Sequence, residues 1–298
     1  MRRVLLSILA LALCICSAKA QLLYRVSGNG LAKPSYILGT FHVAPAAMVD
    51  LIPGVREALY EVEQVCGEID LLAATTPEYE QLIYELNVLP FSLHIDDVLS
   101  EDQLRRLNAY MLEEFGYDLT NEYIYKSFCT LRPSTLESNF ANIIFAEVVP
   151  GYVEGESMDA YLQQEALRLG KGYTFLESIE FQMEMLYGPM SIDKELEGLF
   201  SLVDHPEEYE ASVRNLVGAY YTQDLKLVTQ ALEAIDGAEE AFDEIMVVNR
   251  NKNWIELMPK IMAERSTLFV VGTAHLPKEC GIIKLLRKEG YKVKAVRK

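Results

Sequence analysis

Residues 36–42 read Tyr-Ile-Leu-Gly-Thr-Phe-His, and residues 268–275 read Leu-Phe-Val-Val-Gly-Thr-Ala-His. In both stretches an apolar run typical of a β-strand ends in the pattern Gly-x-x-His, so His42 and His275 occupy the same local position. The chain has only four histidines, which makes this repetition informative. The glycine lets the backbone pass close to neighbouring groups at the mouth of the sheet. If the two strands lie side by side, both imidazoles point at one place, which suits a divalent metal site or a general-base pair.

The first 20 residues have the pattern of a secretory signal peptide. Two arginines precede an apolar run at residues 4–16, and residues 18–20 (Ala-Lys-Ala) offer a cleavage site. The apolar run is short for a membrane span, and no later stretch approaches that length. We therefore expect cleavage near Ala20 and an exported protein, periplasmic or extracellular, of residues 21–298. A retained N-terminal anchor is the alternative.

The predicted mature chain is strongly acidic. Three of the 27 basic residues and none of the 44 acidic residues lie in residues 1–20, so the remainder carries a net charge of −20. Binding to nucleic acid requires a basic surface, and anionic lipid likewise repels this charge. The composition excludes nucleic acid as a partner and is compatible with neutral or basic partners and with metal cations.

Cysteine usage does not suggest a disulfide framework. Beyond residue 20 the cysteines are Cys66, Cys129 and Cys280, an odd and small number. One disulfide with one free thiol is possible, and so is none. The absence of a C-x-x-C pair gives no support for a cysteine zinc site or a redox motif.

The two ends of the chain supply strands and the middle supplies helices. Residues 22–27 and 35–42 flank the turn Gly28-Asn29-Gly30 and predict a hairpin. A helix at 53–64 and a short strand at 65–70 follow, and this strand–helix–strand unit predicts a parallel pairing. Further predicted elements are helices at 101–115, 157–169 and 277–288, and strands at 173–177, 267–271 and 291–296. We expect one α/β domain whose central sheet is built from both chain ends, with a large helical insertion at about 77–155 and 180–245.

Acidic side chains also stand at predicted strand ends. Glu68 and Asp70 end one strand, and Glu177 ends another. In an open parallel sheet, ligands gather beyond the carboxyl ends of the strands, where these side chains would meet the two histidines. Two histidines and one carboxylate form a common divalent-metal set. The simpler interpretations are that Glu68 caps the following loop and that Glu177 is the N-terminal charge of a helix at 178–187.

Two further groups need an interpretation. Arg250, in a predicted helix, either lies on a solvated face or reaches an acidic cluster or a substrate carboxylate or carbonyl, because an unpaired buried arginine is costly. The single tryptophan, Trp254, is interpreted as a core residue. Of the other two histidines, His205 is interpreted as solvent-exposed and His94 as a surface or packing residue. The strings typical of serine hydrolases, zincins, P-loops and dinucleotide-binding folds do not occur.

Several of these stretches, taken in order, resemble the TraB/PrgY/GumN family, which includes the TIKI metalloproteases of animals. The matching residues are 35–43, Glu68-Ile69-Asp70, Met158 to Leu162, Gly170-Lys171, Leu176 to Ser178 with Gln182, Arg250-Asn251, Gly272 to Pro277, Gly281 and Gly290-Tyr291. The resemblance implies an erythromycin-esterase/ChaN-like fold and, for the TIKI branch, a metal-dependent peptidase. By position it implies His42, Glu68 and His275 as ligands of a divalent metal, Mn, Co or Zn.

Sequence and resemblance together predict an exported hydrolase in which metal-activated water attacks the carbonyl of a peptide or protein substrate. Glu177 is the candidate base or fourth ligand, and Arg250 the candidate for substrate or oxyanion contact. Three alternatives remain open. They are a haem- or iron-binding protein, a metal-independent esterase with a histidine base, and a module that sequesters a peptide without cutting it.

Overall fold

The computed structural model describes residues 21–90, 93–187, 190–235 and 244–297. The predicted signal peptide and Gly188-Pro189 lie outside the described residues, as do residues 236–243 of the predicted insertion. The described residues form a six-stranded mixed sheet in the order β4-β3-β5-β2-β1-β6. The strands are β1 (Leu23–Ser27), β2 (Ser35–Thr40), β3 (Gln64–Gly67), β4 (Gly172–Phe175), β5 (Thr267–Gly272) and β6 (Lys292–Ala295).

The N-terminal hairpin is confirmed. Strands β1 and β2 pair antiparallel, with Val26 opposite Ser35, and Gly28, Asn29 and Gly30 in the turn all have positive φ. Such φ values are costly for most side chains and explain the two glycines and the asparagine. The last strand, β6, pairs antiparallel with β1 at the sheet edge, so both chain ends close the sheet as predicted.

The two Gly-x-x-His strands are neighbours. Strands β2 and β5 pair parallel, with Thr40 opposite Gly272, which confirms the arrangement that the repeated pattern suggested. The expected direct pairing of the strands at 35–42 and 65–70 is wrong, because β5 lies between β2 and β3. All six residues of β5 are buried, and its apolar side chains face both sides. Such a strand belongs at the sheet centre, where both of its edges are paired.

Fourteen α-helices are formed by the described residues, most of them in the predicted insertion. Those in the first half are α1 (Met48–Leu51), α2 (Val55–Glu61), α3 (Pro77–Asn87), α4 (Ile95–Val98), α5 (Glu101–Phe115), α6 (Glu122–Phe128), α7 (Pro133–Val148) and α8 (Met158–Arg168). Those in the second half are α9 (Ile179–Tyr187), α10 (Ile192–Asp204), α11 (Pro206–Tyr221), α12 (Leu225–Ile235), α13 (Arg250–Glu264) and α14 (Ile282–Lys288).

Local signals set several helix boundaries. Ser100 and Gln103 form a capping box at the start of α5, and Ser157 caps α8 by accepting from the backbone of Ala160. Helix α14 begins at Ile282, five residues after the predicted start at Pro277. The chain before it turns so tightly that a Cβ on Gly281 would lie 1.8 Å from the Pro277 carbonyl oxygen.

The core lies on both faces of the sheet, with a further cluster among the helices. Along β5, Leu268 and Val270 belong to one cluster, and Phe269 and Val271 belong to the other, as the period of two requires. Helices α4 to α7 and α10 bury their own apolar cluster away from the sheet. No described helix combines the length and the apolar character needed to span a membrane.

The sheet places four candidate residues at one edge. Strands β2, β3, β4 and β5 run parallel and are adjacent, so their carboxyl ends coincide. The side chains that follow those ends are the predicted ones, His42, Glu68, Glu177 and His275. The three cysteines within the described ranges, Cys66, Cys129 and Cys280, are all free thiols.

Candidate active site

The centre of the strand-end cluster is a buried arginine, Arg250, the first residue of α13. Its Nε and Nη2 donate to the Glu177 carboxylate at 2.9 Å each. Its Nη2 also donates to Glu68 Oε2 at 2.5 Å, and its Nη1 lies 3.2 Å from His275 Nε2. Of the two interpretations offered by the sequence, the structure supports the one in which Arg250 reaches an acidic cluster.

His275 is buried and held in one tautomer. An arginine cannot accept a hydrogen bond, so His275 Nε2 accepts from Arg250 and the ring proton lies on Nδ1. That Nδ1 donates to Asn251 Oδ1 at 2.7 Å, while the Asn251 amide nitrogen donates to the backbone oxygens of His275 and Cys280. Burial, together with the charge of Arg250, lowers the pKa of His275 to about 4 despite the opposing charge of Glu68. The imidazole is therefore neutral at neutral pH.

Glu68 is buried and fully charged. Burial would raise the pKa of its carboxyl, but the neighbouring histidines, Arg250 and the Gly272 N–H lower that pKa to about 2. The Gly272 N–H donates to Oε1 at 2.7 Å, and Gln182 Nε2 donates to Oε2 at 3.0 Å. Glu68 thus binds β3 to the end of β5 and to Arg250, which is more than capping its own loop.

Glu177 lies behind Arg250. Besides the two bonds from Arg250, its carboxylate accepts from Trp254 Nε1 at 2.8 Å and from Gln182 Nε2 at 3.3 Å. Trp254 is fully buried, as predicted for a core residue, and its ring centroid lies 4.3 Å from that of His275. Because the acceptor sites of Glu177 are already occupied, this residue is better placed to position Arg250 than to act as a base.

His42 is the exposed member of the cluster, with 63% of its side chain accessible. Its Nδ1 lies 3.4 Å from Asp159 Oδ1, and its Nε2 lies 3.9 Å from Glu68 Oε1. Desolvation lowers the pKa of His42, but the carboxylates of Asp159 and Glu68 outweigh it and raise the pKa to about 9. At neutral pH His42 is therefore an imidazolium that faces an open space.

Asp159 is a site residue to which sequence reasoning assigned no role. It is buried, and its Oδ1 accepts from Thr40 Oγ1 at 2.7 Å. Its Oδ2 is also buried and has no hydrogen-bond partner among the described residues. Gln182 and Asn251 were likewise recognised only as parts of the motifs that resemble the family. The sequence signal that could have indicated a site role is the position of each polar residue on a helix face that is otherwise apolar.

Two cavities meet at this cluster. One, here called the apolar cavity, has a volume of about 310 Å³ and is lined by His42, His275 and Arg250 together with mainly apolar residues of α11 and α12. The other, here called the polar cavity, has a volume of about 300 Å³ and is lined by His42, Glu68, Asp159, Gln163, Gln182 and Arg250 among others. Glu177 lines neither cavity.

A protein-family model covers the fold and the strand-end cluster described above. The model of the TraB/PrgY/gumN family matches residues 22–295, which include every strand and the whole strand-end cluster. The chain belongs to the TraB/PrgY/gumN family. The resemblance read from the sequence motifs is thereby confirmed. No significant match was found among curated proteins or among solved structures.

The three ligands predicted for this family member do not form a metal site as they are arranged here. Within the described ranges, no group of three or more His, Cys, Asp or Glu side chains converges closely enough to hold a metal ion. The physical reason lies in Arg250, whose Nη1 donates to the His275 Nε2 lone pair that a metal would need. Arg250 also binds Glu68, so two of the three predicted ligands contact a cation that belongs to the chain.

The remaining two histidines lie away from the cluster. His94 and His205 are both exposed, which confirms the interpretation of His205 and selects the surface alternative for His94, and neither lines the two cavities. They are therefore suitable controls for experiments on His42 and His275.

Proposed function

We propose that this TraB/PrgY/gumN protein is a hydrolase that cleaves a carbonyl compound, in the first place a peptide, at the strand-end cluster. The observation that carries the proposal is that four parallel strand ends gather two imidazoles and two carboxylates around the buried Arg250, and that His42, Glu68, His275 and Arg250 of this cluster line two open cavities. Groups with shifted pKa values in a cleft are typical of catalytic sites. Family membership also supports a fold of the erythromycin-esterase/ChaN-like type.

The charges suit the stabilisation of a developing oxyanion. Arg250 is always charged and lines both cavities. A positive group held in a fixed position at a partly buried site stabilises negative charge that forms on a carbonyl oxygen. Arg250 is fixed by Glu68 and Glu177, and its contacts with both carboxylates can persist during the reaction.

Metal dependence remains the proposal made from the sequence. A divalent metal held by His42, Glu68 and His275 would supply activated water and polarise the carbonyl. For His275 to take part, the Nη1 group of Arg250 must first release its Nε2 atom. His42 must also lose its proton, because only a neutral imidazole binds a metal.

A metal-independent hydrolase is the second candidate, and the position of Arg250 favours it. The guanidinium already contacts Glu68 and His275, the two buried residues predicted to bind the metal. In this version His42 is the base, since it faces the cavity. Because the pKa of His42 is about 9, hydrolysis by this route should increase as the pH rises towards 9.

Metal analysis combined with a hydrolysis screen tests both versions. The protein lacking residues 1–20 is loaded with Mn, Co or Zn, desalted and analysed for metal beside the variants His42→Ala and His275→Ala, with His94→Ala and His205→Ala as controls. Stoichiometric metal that is lost only in the first two variants supports the metal-dependent version. Chelator-resistant ester or peptide hydrolysis with a pH profile rising to about 9 supports the second. Absence of hydrolysis under all these conditions would overturn the proposed function.

Export remains a proposal that rests on the composition of residues 1–20. We propose cleavage near Ala20. N-terminal sequencing of the protein recovered from the periplasmic and extracellular fractions tests this directly, and an intact N-terminus in the membrane fraction would contradict it.

A further inference from the structure

The apolar cavity has a wall that is unlike the rest of the site. Its floor is formed by the polar groups of His42, His275 and Arg250, whereas its far wall comes from α11 and α12. The side chains of that wall include Leu216, Tyr220, Val228 and Leu232. A volume of about 310 Å³ is at the lower end of the range for small-molecule sites.

The chemistry of the wall selects a neutral apolar group. A charged group placed there would lose its hydration without finding a partner, which is strongly unfavourable. The cation at the rim, Lys278, lies 3.6 Å from the Glu233 carboxylate, so its charge is already balanced. Burying an aliphatic or aromatic side chain in such a cavity is favourable by the hydrophobic effect.

The polar cavity lies on the other side of the same catalytic groups. His42, Met246 and Arg250 line both cavities, so the two cavities adjoin at these side chains. In the polar cavity, the buried Oδ2 atom of Asp159 has no donor among the described residues. A substrate that spans the cluster would place backbone groups on this side and an apolar side chain on the other.

We propose that the apolar cavity is the specificity pocket of this protein, and that it takes the bulky aliphatic or aromatic side chain next to the scissile carbonyl of a peptide-like substrate. The position of this side chain next to a cleaved bond rests on the proposed hydrolase function, whereas the binding preference follows from the lining of the cavity alone. Two residues on α12 control the size of the pocket. Thr229 and Leu232 are half-buried, line the cavity and, being three positions apart, share one face of the helix.

Binding of a graded ligand series to the purified protein tests the preference without requiring turnover. The probes are the N-acetyl amides of glycine, alanine, leucine and phenylalanine, and affinity is measured by calorimetry and by the fluorescence of Trp254. That residue is the single tryptophan, and its ring contacts His275 at the floor of the cavity. We expect affinity to rise at least about 10-fold from glycine to leucine or phenylalanine, the gain typical of one buried side chain.

Substitutions on α12 test whether the binding preference arises in the apolar cavity. Thr229→Phe should fill the pocket and abolish the advantage of leucine and phenylalanine, while the glycine amide binds as before. Leu232→Ala should enlarge the pocket and favour phenylalanine over leucine more strongly than in the parent. The control is Gln230→Phe, on the same helix but exposed and outside the cavity, which should leave the series unchanged. Circular dichroism shows whether each variant is folded, and the two α12 variants provide independent tests.

The outcomes separate this inference from the proposed function. If binding is graded and responds to the α12 variants, but the corresponding peptides and esters are not hydrolysed, the specificity pocket is supported and the hydrolase function is overturned. If hydrolysis occurs but does not depend on side-chain size, the hydrolase function is supported and the specificity pocket is overturned. Equal affinities across the series, or the same change in all three variants, would likewise overturn the pocket.

Discussion

Arg250 donates a hydrogen bond from Nη1 to Nε2 of His275 over 3.2 Å, while its Nη2 binds Glu68 and Glu177. One guanidinium thus connects the ends of three strands, β3, β4 and β5. Because arginine stays protonated, this contact fixes the His275 tautomer and occupies the lone pair of its Nε2 atom. Any reaction that uses His275 Nε2 must first move Arg250.

We expect Arg250→Met to destabilise the fold severely. The substitution keeps much of the side-chain volume but leaves the buried carboxylates of Glu68 and Glu177 without their cation. Breaking a buried ion pair from one side typically costs about 3–5 kcal/mol. Urea unfolding followed by circular dichroism measures the change. The control is Arg214→Met, at an exposed position of α11, which should change stability by about 0.5 kcal/mol or less. A similar small change for both variants would contradict the central role of Arg250.

Stability should fall on both sides of a maximum near pH 6.5. The folded state lowers the pKa of His275 from 6.5 to about 4 and that of Glu68 from 4.5 to about 2. The unfolded chain therefore binds these protons first, and stability is lost as the pH falls from about 6.5 to about 2. The pKa of His42 is raised to about 9, so its contribution is present below pH 6.5 and is lost as the pH rises to about 9.

Urea midpoints measured between pH 3 and pH 9.5 test the loss of stability on both sides of the maximum. His275→Gln should flatten the profile between about pH 6.5 and pH 4, because the titrating group is removed there. His205→Gln, at an exposed position, should leave the profile unchanged. An unaltered slope in the His275 variant would show that the pKa of this residue is not lowered by folding.

Asp159→Asn should lower the pKa of His42. Among the causes that raise this pKa to about 9, the charge of Asp159 is the largest, and its Oδ1 lies 3.4 Å from His42 Nδ1. Removing that charge leaves Glu68 as the remaining acidic neighbour, so the pKa should move back towards 6.5. Titration of the His42 ring by NMR measures the shift, with Asp102→Asn, at an exposed position of α5, as the control. An unchanged His42 pKa would remove Asp159 from the site.

The sheet could be predicted because its information is local. Alternation and turn residues in 22–42 predicted the hairpin, and the apolar run before Gly272 predicted a strand. The repeated Gly-x-x-His pattern then placed two histidines at one edge, and the structure puts their strands side by side. The neighbour of β3 could not be read in this way, because strand order depends on which long-range pairing buries the most apolar surface.

The buried network could not be predicted for a similar reason. Hydrogen bonds from Arg250 reach residues 73 and 182 positions away in the sequence, and no periodic pattern specifies them. The carboxylates Glu68 and Glu177 were recognised because they follow strands. Asp159, Gln182 and Asn251 lie on helices, where a polar residue is ordinarily interpreted as solvated. The apolar cavity arises from the way α11 and α12 meet the strand ends, which depends on packing rather than on a motif.

Gly272→Ala should disturb the site while leaving the fold largely intact. A Cβ at position 272 would lie 3.0 Å from His42 Nε2, which is a tight contact, and 3.4 Å from Glu68 Oε1, which is an ordinary one. The exposed imidazole of His42 can swing aside, whereas Glu68 is held by Arg250 and by the Gly272 N–H. We therefore expect a displaced His42 resonance, a lower His42 pKa as its ring leaves the two carboxylates, and a loss of any hydrolytic activity.

The matched control for this variant is Gly218→Ala in the last turn of α11. Nothing lies within 4 Å of a Cβ at that position, and alanine is the better helix former by about 1 kcal/mol. Gly218→Ala should thus raise the urea midpoint and leave the His42 titration unchanged, while Gly272→Ala should change the titration with little effect on the midpoint. If instead Gly272→Ala left the His42 pKa at about 9, the close approach of β5 to His42 would have no part in the site, and the second glycine of the repeated motif would serve strand packing alone.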